Sequence, residues 1–322
     1  MTPYPRDAYG LIRRAAANAV DISDHELRTS VVSGRLLRLT PGVFVEPSNE
    51  FDGPAGRDRF FRLRSIAVAT SDADRDLALS HTSAATMHGL ALLRPDQRCV
   101  HLTNGLGAGG RIRAGRHVHS APLTPGETVR IEGVAVTSLA RTAVDVAIMG
   151  DFAQALTAFD GALRSTADRD IMGCTLAARR RGIRAAQRAL PLATNSSESV
   201  GESWSRAQMI DAKIPPPTLQ QSFRCAGGNY RVDFWWEAHR LIGEFDGAIK
   251  YGQSRRPGES IEQTVMREKR REDELRALGY LVLRWTWDDL RTGKMVPLLR
   301  SWINRPAEQH HSHRAAPIGA AR

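Results

Sequence analysis

The chain has 322 residues, 42% of them hydrophobic and 25% charged, and its formal net charge at pH 7 is +10. This length and apolar content predict two or three domains with sizeable cores. The excess of positive charge favours a polyanionic partner such as DNA. Three widely separated cysteines predict neither a disulfide framework nor a cysteine-ligated zinc site. The chain lacks an apolar signal segment and any run of about 20 apolar residues, so we expect a cytoplasmic protein with no membrane partner.

The first fifty residues have the pattern of a winged helix-turn-helix. Two short helices are predicted at Ala8–Ala19 and Asp24–Ser33, and two short strands follow on either side of the turn Thr40-Pro41-Gly42. The alternative is a small helical cap whose hairpin packs on the next domain. In the winged interpretation, basic side chains of the second helix and the wing contact DNA phosphate or a groove. These residues are Arg28, Arg35 and Arg38.

The sequence pattern predicts a middle α/β domain at residues 51–150 and a helical connector at residues 151–195. His81 and His88 are seven residues apart on a predicted helix, which favours packing or capping over metal binding. His117 and His119 alternate along a predicted strand, so we expect both to be exposed on one face. The glycine-rich segment 105–116 lacks the lysine and serine or threonine of a nucleotide-binding loop, so a surface loop is predicted.

Three segments of the N-terminal part carry a resemblance to a known family: GRLLRLTPGVFV at 34–45, LSHTSAATMHGL at 79–90 and VTSLARTAVDVA at 136–147. They resemble the AbiEi-type antitoxins of type IV toxin–antitoxin systems, which are transcriptional regulators. The similarity covers roughly residues 1–190. It implies DNA as a partner and, in a toxin–antitoxin setting, a cognate toxin.

The C-terminal part contains a predicted hairpin with opposed carboxylates. Strands at Tyr230–Trp236 and Leu241–Asp246 are joined by the four-residue loop 237–240. If the loop is symmetric, Asp233 lies directly opposite Glu244. Like charges placed opposite each other destabilise a strand pair, so a cation is expected between them.

Further groups extend this arrangement into a predicted metal site. Asp246 shares a face with Glu244, and Lys250 follows just beyond the strand. Three carboxylates and a lysine at one sheet end are typical of a Mg²⁺-dependent (or Mn²⁺-dependent) site that cleaves phosphodiesters. The alternative is structural: Arg231 would face Asp246 as a cross-strand ion pair, and Asp233 would face water.

The hairpin resembles the core of PD-(D/E)xK nucleases, in the branch related to very-short-patch-repair endonucleases. Asp233-Phe234 and the segment Glu244–Gly247 match two elements of the signature of a related group of bacterial domains. Lys250 departs from that signature, since those domains often carry histidine there, and an ammonium group cannot ligate a metal as imidazole does. Glu202, on a predicted helix, matches the acidic residue on the first helix of such folds. Its alternative role is to complement the helix dipole.

The remaining C-terminal elements complete a restriction-endonuclease-like layout. Helix, hairpin, helix, strand and helix are predicted across residues 196–304, after a polar boundary at 194–197 and before a disordered tail at 305–322. Lys269, Arg270 and Arg271, on the charged helix, either contact phosphate or form a solvated face. The expected fold class is therefore α/β (α+β). The expected function is a Mg²⁺-dependent DNA endonuclease, and the alternative is a non-catalytic DNA-binding regulator of the antitoxin type.

Overall fold

The computed structural model describes residues 3–71, 77–113, 115–178, 182–247 and 260–305. Contacts between Cα atoms divide the chain into two units, Met1–Pro191 and Leu192–Arg322. The described residues are a mixture of helices and strands, and the strands form three sheets, which is the predicted α+β character. No helix in these ranges is both long and apolar enough to span a bilayer.

The first unit begins with a small sheet and two helices. Its strands have the order β1-β3-β2. The helix α2 opens with a capping box, in which Ser23 and Glu26 bond reciprocally. The elements are β1 (Ile12–Arg13), α1 (Arg14–Asn18), α2 (Asp24–Val32), β2 (Leu37–Thr40) and β3 (Val43–Val45).

The prediction of a helix over residues 8–19 was wrong, because only residues 14–18 are helical. The Asp7 carboxylate accepts hydrogen bonds from the backbone N–H groups of Tyr9 and Leu11, and Gly10 has a φ of 75°, so a turn occupies the start of the predicted helix. Ile12 then pairs with Phe44 as a strand. The second helix and the two wing strands lie close to their predicted positions.

A six-stranded sheet with the order β6-β7-β5-β4-β9-β8 forms the rest of the first unit's sheet structure. Its strands β5 and β7 are parallel neighbours although β6 lies between them in sequence. The elements are α3 (Gly53–Ala69), β4 (Ala78–Leu79), α4 (His81–Met87), β5 (Val100–Gly105), β6 (Arg111–Arg113), β7 (Arg116–Pro122), β8 (Thr128–Ile131), β9 (Val134–Thr137) and α5 (Leu139–Met149).

One hydrophobic core joins the N-terminal elements to this sheet. Leu11, Leu39 and Val43 belong to the same buried cluster as Phe61 and Val100.

Three further helices follow in the first unit, and they occupy the segment predicted as a helical connector. They are α6 (Phe152–Arg164), α7 (Arg169–Ala177) and α8 (Ile183–Ala189).

The second unit contains a four-stranded sheet with the order β10-β11-β12-β13, in which β12 and β13 are parallel and the other pairs antiparallel. The strand β10 was not predicted, because its half-exposed run of Gln220, Gln221 and Ser222 lacks an apolar alternation. The elements are α9 (Val200–Asp211), β10 (Thr218–Cys225), β11 (Gly228–Trp236), β12 (Leu241–Asp246), α10 (Ile261–Ala277), β13 (Leu281–Thr286), α11 (Trp287–Arg291) and α12 (Met295–Ile303).

The two faces of this sheet have separate cores. Phe234 and Trp285 belong to a cluster with residues of α9, α11 and α12. Trp235 and Ile242 belong to the other cluster, with Leu275 of α10. Successive side chains of a strand point to opposite faces, so the neighbours of Trp235 and Ile242 at every second position face α10. This pattern places the acidic residues of the hairpin beneath the charged helix.

Candidate active site

The hairpin has the register predicted from its loop. Phe234 pairs with Gly243, and Trp236 pairs with Leu241 across a single 3-10 turn. One step beyond the first of these pairs lie Asp233 and Glu244, on adjacent antiparallel strands. Both face α10.

Asp233 is held by a backbone group and by a glutamine that the sequence did not single out. One carboxylate oxygen accepts from the N–H of Phe245 at 2.9 Å, and the other accepts from Nε2 of Gln220 at 3.4 Å. The same Gln220 amide donates to Glu202 at 2.9 Å. Gln220 has a φ of 54°, a backbone region that costs free energy for a non-glycine residue and recurs at functional sites. Gln220 therefore links two of the predicted site carboxylates.

Glu202 lies in the first turn of α9 and is buried. Its carboxylate accepts from the N–H of Glu198 and from the hydroxyl of Ser199, each at 2.8 Å. Burial raises the pKa of Glu202, and the nearby negative charge of Asp233 raises it further. Glu202 therefore lies at the start of a helix, where a carboxylate complements the helix dipole. It also lies close enough to Asp233 for the two charges to interact.

Glu244 is buried beneath two arginines. Arg271 donates from Nη1 at 2.7 Å and also contacts the same oxygen through Nη2, while Nε of Arg284 lies 3.2 Å from the second oxygen. Burial nevertheless raises the pKa of Glu244 above its usual value, because desolvation outweighs the two guanidinium groups. Arg271, predicted to contact phosphate, is here the ion-pair partner of a site carboxylate.

Asp246, another predicted site residue, is more exposed to solvent than Asp233 and Glu244. Asp246 is exposed at the end of β12, where it pairs in register with Thr286. Arg231 forms its ion pair with Glu198 at 2.7 Å, so the cross-strand partner proposed for Asp246 is engaged elsewhere. Lys250 lies outside the described residues.

Gln220, Asp233, Glu244 and Asp246 line one cavity of about 590 Å³ in the second unit, whereas Glu202 does not contribute to its wall. Seven acidic and five basic residues contribute to its wall, which gives a net charge of −2 when all are ionised. The acidic residues are Glu198, Asp233, Glu244, Asp246, Glu268, Glu272 and Asp273, and the basic residues are Arg231, Lys269, Arg271, Arg276 and Arg284. Such a wall attracts cations and repels a nucleic-acid phosphate unless a cation intervenes.

In the first unit, the predicted DNA-contacting arginines are exposed. Arg28 lies on α2, Arg35 precedes β2 and Arg38 lies within it. Nε of Arg35 donates to the hydroxyl of Ser33 at 3.2 Å. The three side chains are therefore accessible to a partner.

Comparison with known proteins identifies relatives, although no family model matches the chain. The uncharacterised proteins MT2308 and Rv2248, from two strains of Mycobacterium tuberculosis, are each 37% identical over 287 residues, which is 87% of this chain and 97% of theirs. The crystal structure of the RV2827C protein from M. tuberculosis aligns with a TM-score of 0.38 at 14% identity, over 69% of this chain and 90% of that one. The chain belongs to the same protein family as MT2308 and Rv2248.

Proposed function

We propose that the protein is a Mg²⁺-dependent (or Mn²⁺-dependent) DNA endonuclease of the PD-(D/E)xK type, similar to very-short-patch-repair enzymes. The observation that carries this proposal is that Asp233 and Glu244 line one cavity at a strand end, with Glu202 linked to Asp233 through the amide of Gln220. Residues 196–304 would form the nuclease module, and the N-terminal winged helix-turn-helix would position it on DNA.

The residues of the site suit a hard divalent cation. Mg²⁺ and Mn²⁺ prefer carboxylate and water oxygens, and Asp233 and Glu244 would supply them, with Asp246 at the rim. The cavity wall carries a net charge of −2, and the raised pKa values of Glu202 and Glu244 show that ionising these carboxylates is costly. A bound divalent ion would offset this cost, polarise a phosphate and lower the pKa of an attacking water.

The chain's own residues would prepare this site. Gln220 ties Glu202 to Asp233 through one amide and so fixes the relative orientation of the two carboxylates. Arg271 has a fork of donors that suits a phosphate as well as a carboxylate. We infer that Arg271 exchanges Glu244 for a phosphate oxygen when DNA enters, and that exposed Lys269 contacts the backbone nearby.

The topology supports the same interpretation. A helix bearing Glu202, antiparallel strands bearing Asp233 and Glu244, a second helix and a parallel strand follow one another in the order that the resemblance implies. The proposed Lys250 function, stabilisation of the scissile phosphate, concerns a residue outside the described ranges. A Lys250→Ala chain should keep its metal and lose most of its cleavage rate.

One observation favours a second candidate, a non-catalytic DNA-binding regulator of the AbiEi antitoxin type with a cognate toxin as partner. Glu244 already has two cationic partners, Arg271 and Arg284, so its charge is compensated without a metal. In this case the second unit would serve as a scaffold. The exposed arginines of the first unit would provide the DNA contacts in either case.

Nicking of supercoiled plasmid by the full chain separates these candidates. We expect the wild type to nick DNA in Mg²⁺ or Mn²⁺, and Asp233→Asn and Glu244→Gln to abolish nicking while they retain DNA affinity. The matched control is Asp273→Asn, which removes an exposed carboxylate of the same cavity and should keep the activity. If the wild type binds plasmid, mismatched duplex and single strands but cuts none of them, the regulator interpretation replaces the nuclease.

A further inference from the structure

Four histidines of the first unit gather at one place in its six-stranded sheet. His101 lies on β5, His117 and His119 on β7, and His81 directly after β4. In the parallel β5–β7 pair, His101 is opposite His117, and Thr103 is opposite His119. His117 and His119 share one face, as predicted, and their rings stack with centroids 3.7 Å apart. The expectation that both are exposed was wrong, because both are half-buried and His119 also stacks on His81 at 3.8 Å.

Three of these side chains bring potential ligand atoms together. Ring nitrogens of His81, His101 and His119 all lie within 4.8 Å of one another. Nδ1 of His101 and Nε2 of His119 are 2.8 Å apart. Zn–N distances of roughly 2.0–2.1 Å separate two nitrogens on a tetrahedral ion by about 3.4 Å. The terminal torsion of histidine is soft, and metal binding would require the rings to rotate about it until their nitrogens lie at that spacing.

The chemical state of the rings suits ligation. Burial is the first cause that lowers the pKa of His101, to about 4, and that of His119, to about 3. The pKa of His81 is also well below its usual value. Low pKa values favour the neutral form of each imidazole, in which one ring nitrogen carries the lone pair that a metal needs; a metal would replace the hydrogen bond between His101 and His119.

Arg141 disfavours positive charge at His81, but two carboxylates compensate its own charge. Arg141 is buried near His81, but its guanidinium contacts Asp145 at 3.0 Å and Glu127 at 2.9 Å, so the group carries a net charge of −1. The buried hydroxyl of Thr103, beside His119 in register, has no hydrogen-bond partner among the described residues. This hydroxyl therefore has hydrogen-bonding capacity left for a polar ligand.

His81 is also held in an unusual backbone conformation. Its φ is 50°, although a helix begins at this residue. Such a conformation is unfavourable for a non-glycine residue and persists where the surrounding structure requires it. Here it directs the ring of His81 onto that of His119.

We propose that His81, His101 and His119 form a binding site for Zn²⁺ or a similar late first-row divalent metal ion. Imidazole is a preferred ligand of these ions, and three protein ligands leave a fourth position for water or an anion. The proposal is independent of the carboxylate site in the second unit. That site offers oxygen ligands, which suit a different class of cation.

The test is a titration of chelator-treated full-length protein with Co²⁺, whose visible absorption is intense in tetrahedral sites. The background chain carries glutamine in place of the three tail histidines His310, His311 and His313, so that they cannot contribute. We expect the intense tetrahedral absorption, which an oxygen-ligand site does not give, to saturate at one Co²⁺ per chain and to be removed by one equivalent of Zn²⁺. Loss of a mere outer-shell partner costs about 10–100-fold in metal affinity, so the loss of a ligand in His119→Gln should cost more.

The matched control is His25→Gln, which removes an exposed histidine of the same unit and should leave binding unchanged. Far-UV circular dichroism establishes that each variant is folded. If His119→Gln fails to fold, long-range ¹H–¹⁵N NMR of the chain with the intact cluster tests the proposal instead. Zn²⁺ should then shift the ring-nitrogen resonances of three histidines together. Absence of Co²⁺ binding, equal binding by folded His119→Gln, or unshifted ring nitrogens would overturn the proposal.

Discussion

Replacing His101 by phenylalanine should flatten the pH dependence of stability in the first unit. His101 is 4% exposed, and burial lowers its pKa from 6.5 to about 4. The folded state therefore binds fewer protons than the unfolded state between these two values. The stabilisation from neutral His101 is complete above pH 6.5 and is lost as the pH falls toward 4.

The magnitude follows from the two pKa values. Between pH 7 and about pH 4.5, the unfolded form of His101 becomes protonated while the folded form stays mostly neutral, which removes about 2–3 kcal/mol of the free energy of unfolding. His81 and His119 also have lowered pKa values and add to the loss. The negative charge of Asp96 raises the pKa of His101 and so reduces this loss of stability. His101→Phe should abolish roughly the 2–3 kcal/mol that belongs to His101.

The two units can be followed separately in the full chain. All six tryptophans lie between residues 204 and 302, within the second unit. Urea unfolding in chelator, followed by far-UV circular dichroism, reports both units, and tryptophan fluorescence reports the second. We expect the acid-induced loss in the dichroism transition of the first unit, unchanged in the exposed control His25→Gln. An equal loss in wild type and His101→Phe, or a loss confined to the fluorescence transition, would refute the reasoning.

Three further predictions concern the arginine pair, the packing and DNA binding. Arg271→Gln should destabilise the second unit by about 1–2 kcal/mol in fluorescence-detected urea unfolding, which is less than for a fully buried pair because Arg284 remains on Glu244. The same substitution should tighten Mg²⁺ binding about fivefold by calorimetry, because Arg271 no longer competes with the ion for Glu244. Weaker Mg²⁺ binding would contradict this competition. Gly201→Ala should destabilise the same unit by about 1–3 kcal/mol, since the added methyl would overlap the ring of Phe245, and an unchanged urea midpoint would exclude that overlap. Arg38→Glu should weaken duplex binding and reduce the salt slope by about one, measured by anisotropy; an unchanged slope would remove this exposed residue from the interface.

Point substitution is the appropriate test of the N-terminal region. Deletion of residues 1–48 would remove Leu11, Leu39 and Val43 from a core that they share with Phe61 and Val100. The rest of the first unit would then expose apolar surface. Loss of DNA binding after such a deletion would therefore not distinguish a missing contact from a misfolded unit.

The carboxylate site was accessible to sequence reasoning because a hairpin is local. The four-residue loop 237–240 sets the register, and the register alone places Asp233 opposite Glu244. Arg271 and Arg284 were not foreseeable as partners of Glu244, because they come from a helix and a parallel strand whose positions depend on tertiary packing. Gln220 was not predicted because a polar run at 220–222 interrupts the apolar alternation of its strand and because its backbone is left-handed.

The histidine cluster shows the opposite case. Spacing along the chain pairs His81 with His88, yet His88 bonds the carbonyl of Thr137 through Nε2 at 2.8 Å, while His81 joins His101 and His119. The cluster depends on the parallel pairing of β5 and β7, which are separated by another strand. It also depends on the positive φ of His81. Neither feature leaves a periodic signal in the sequence.

The central claim, that Asp233 and Glu244 form a divalent-cation site with Asp246 at its rim, is tested most directly by binding of Mn²⁺, counted from the electron paramagnetic resonance signal of the free ion. The background chain carries His119→Gln and glutamine at 310, 311 and 313, so that histidines cannot contribute. We predict one Mn²⁺ per chain in this background and in Asp273→Asn, none in Asp233→Asn, and displacement by Mg²⁺. Equal Mn²⁺ binding by Asp233→Asn, or none by the background chain, would contradict the account.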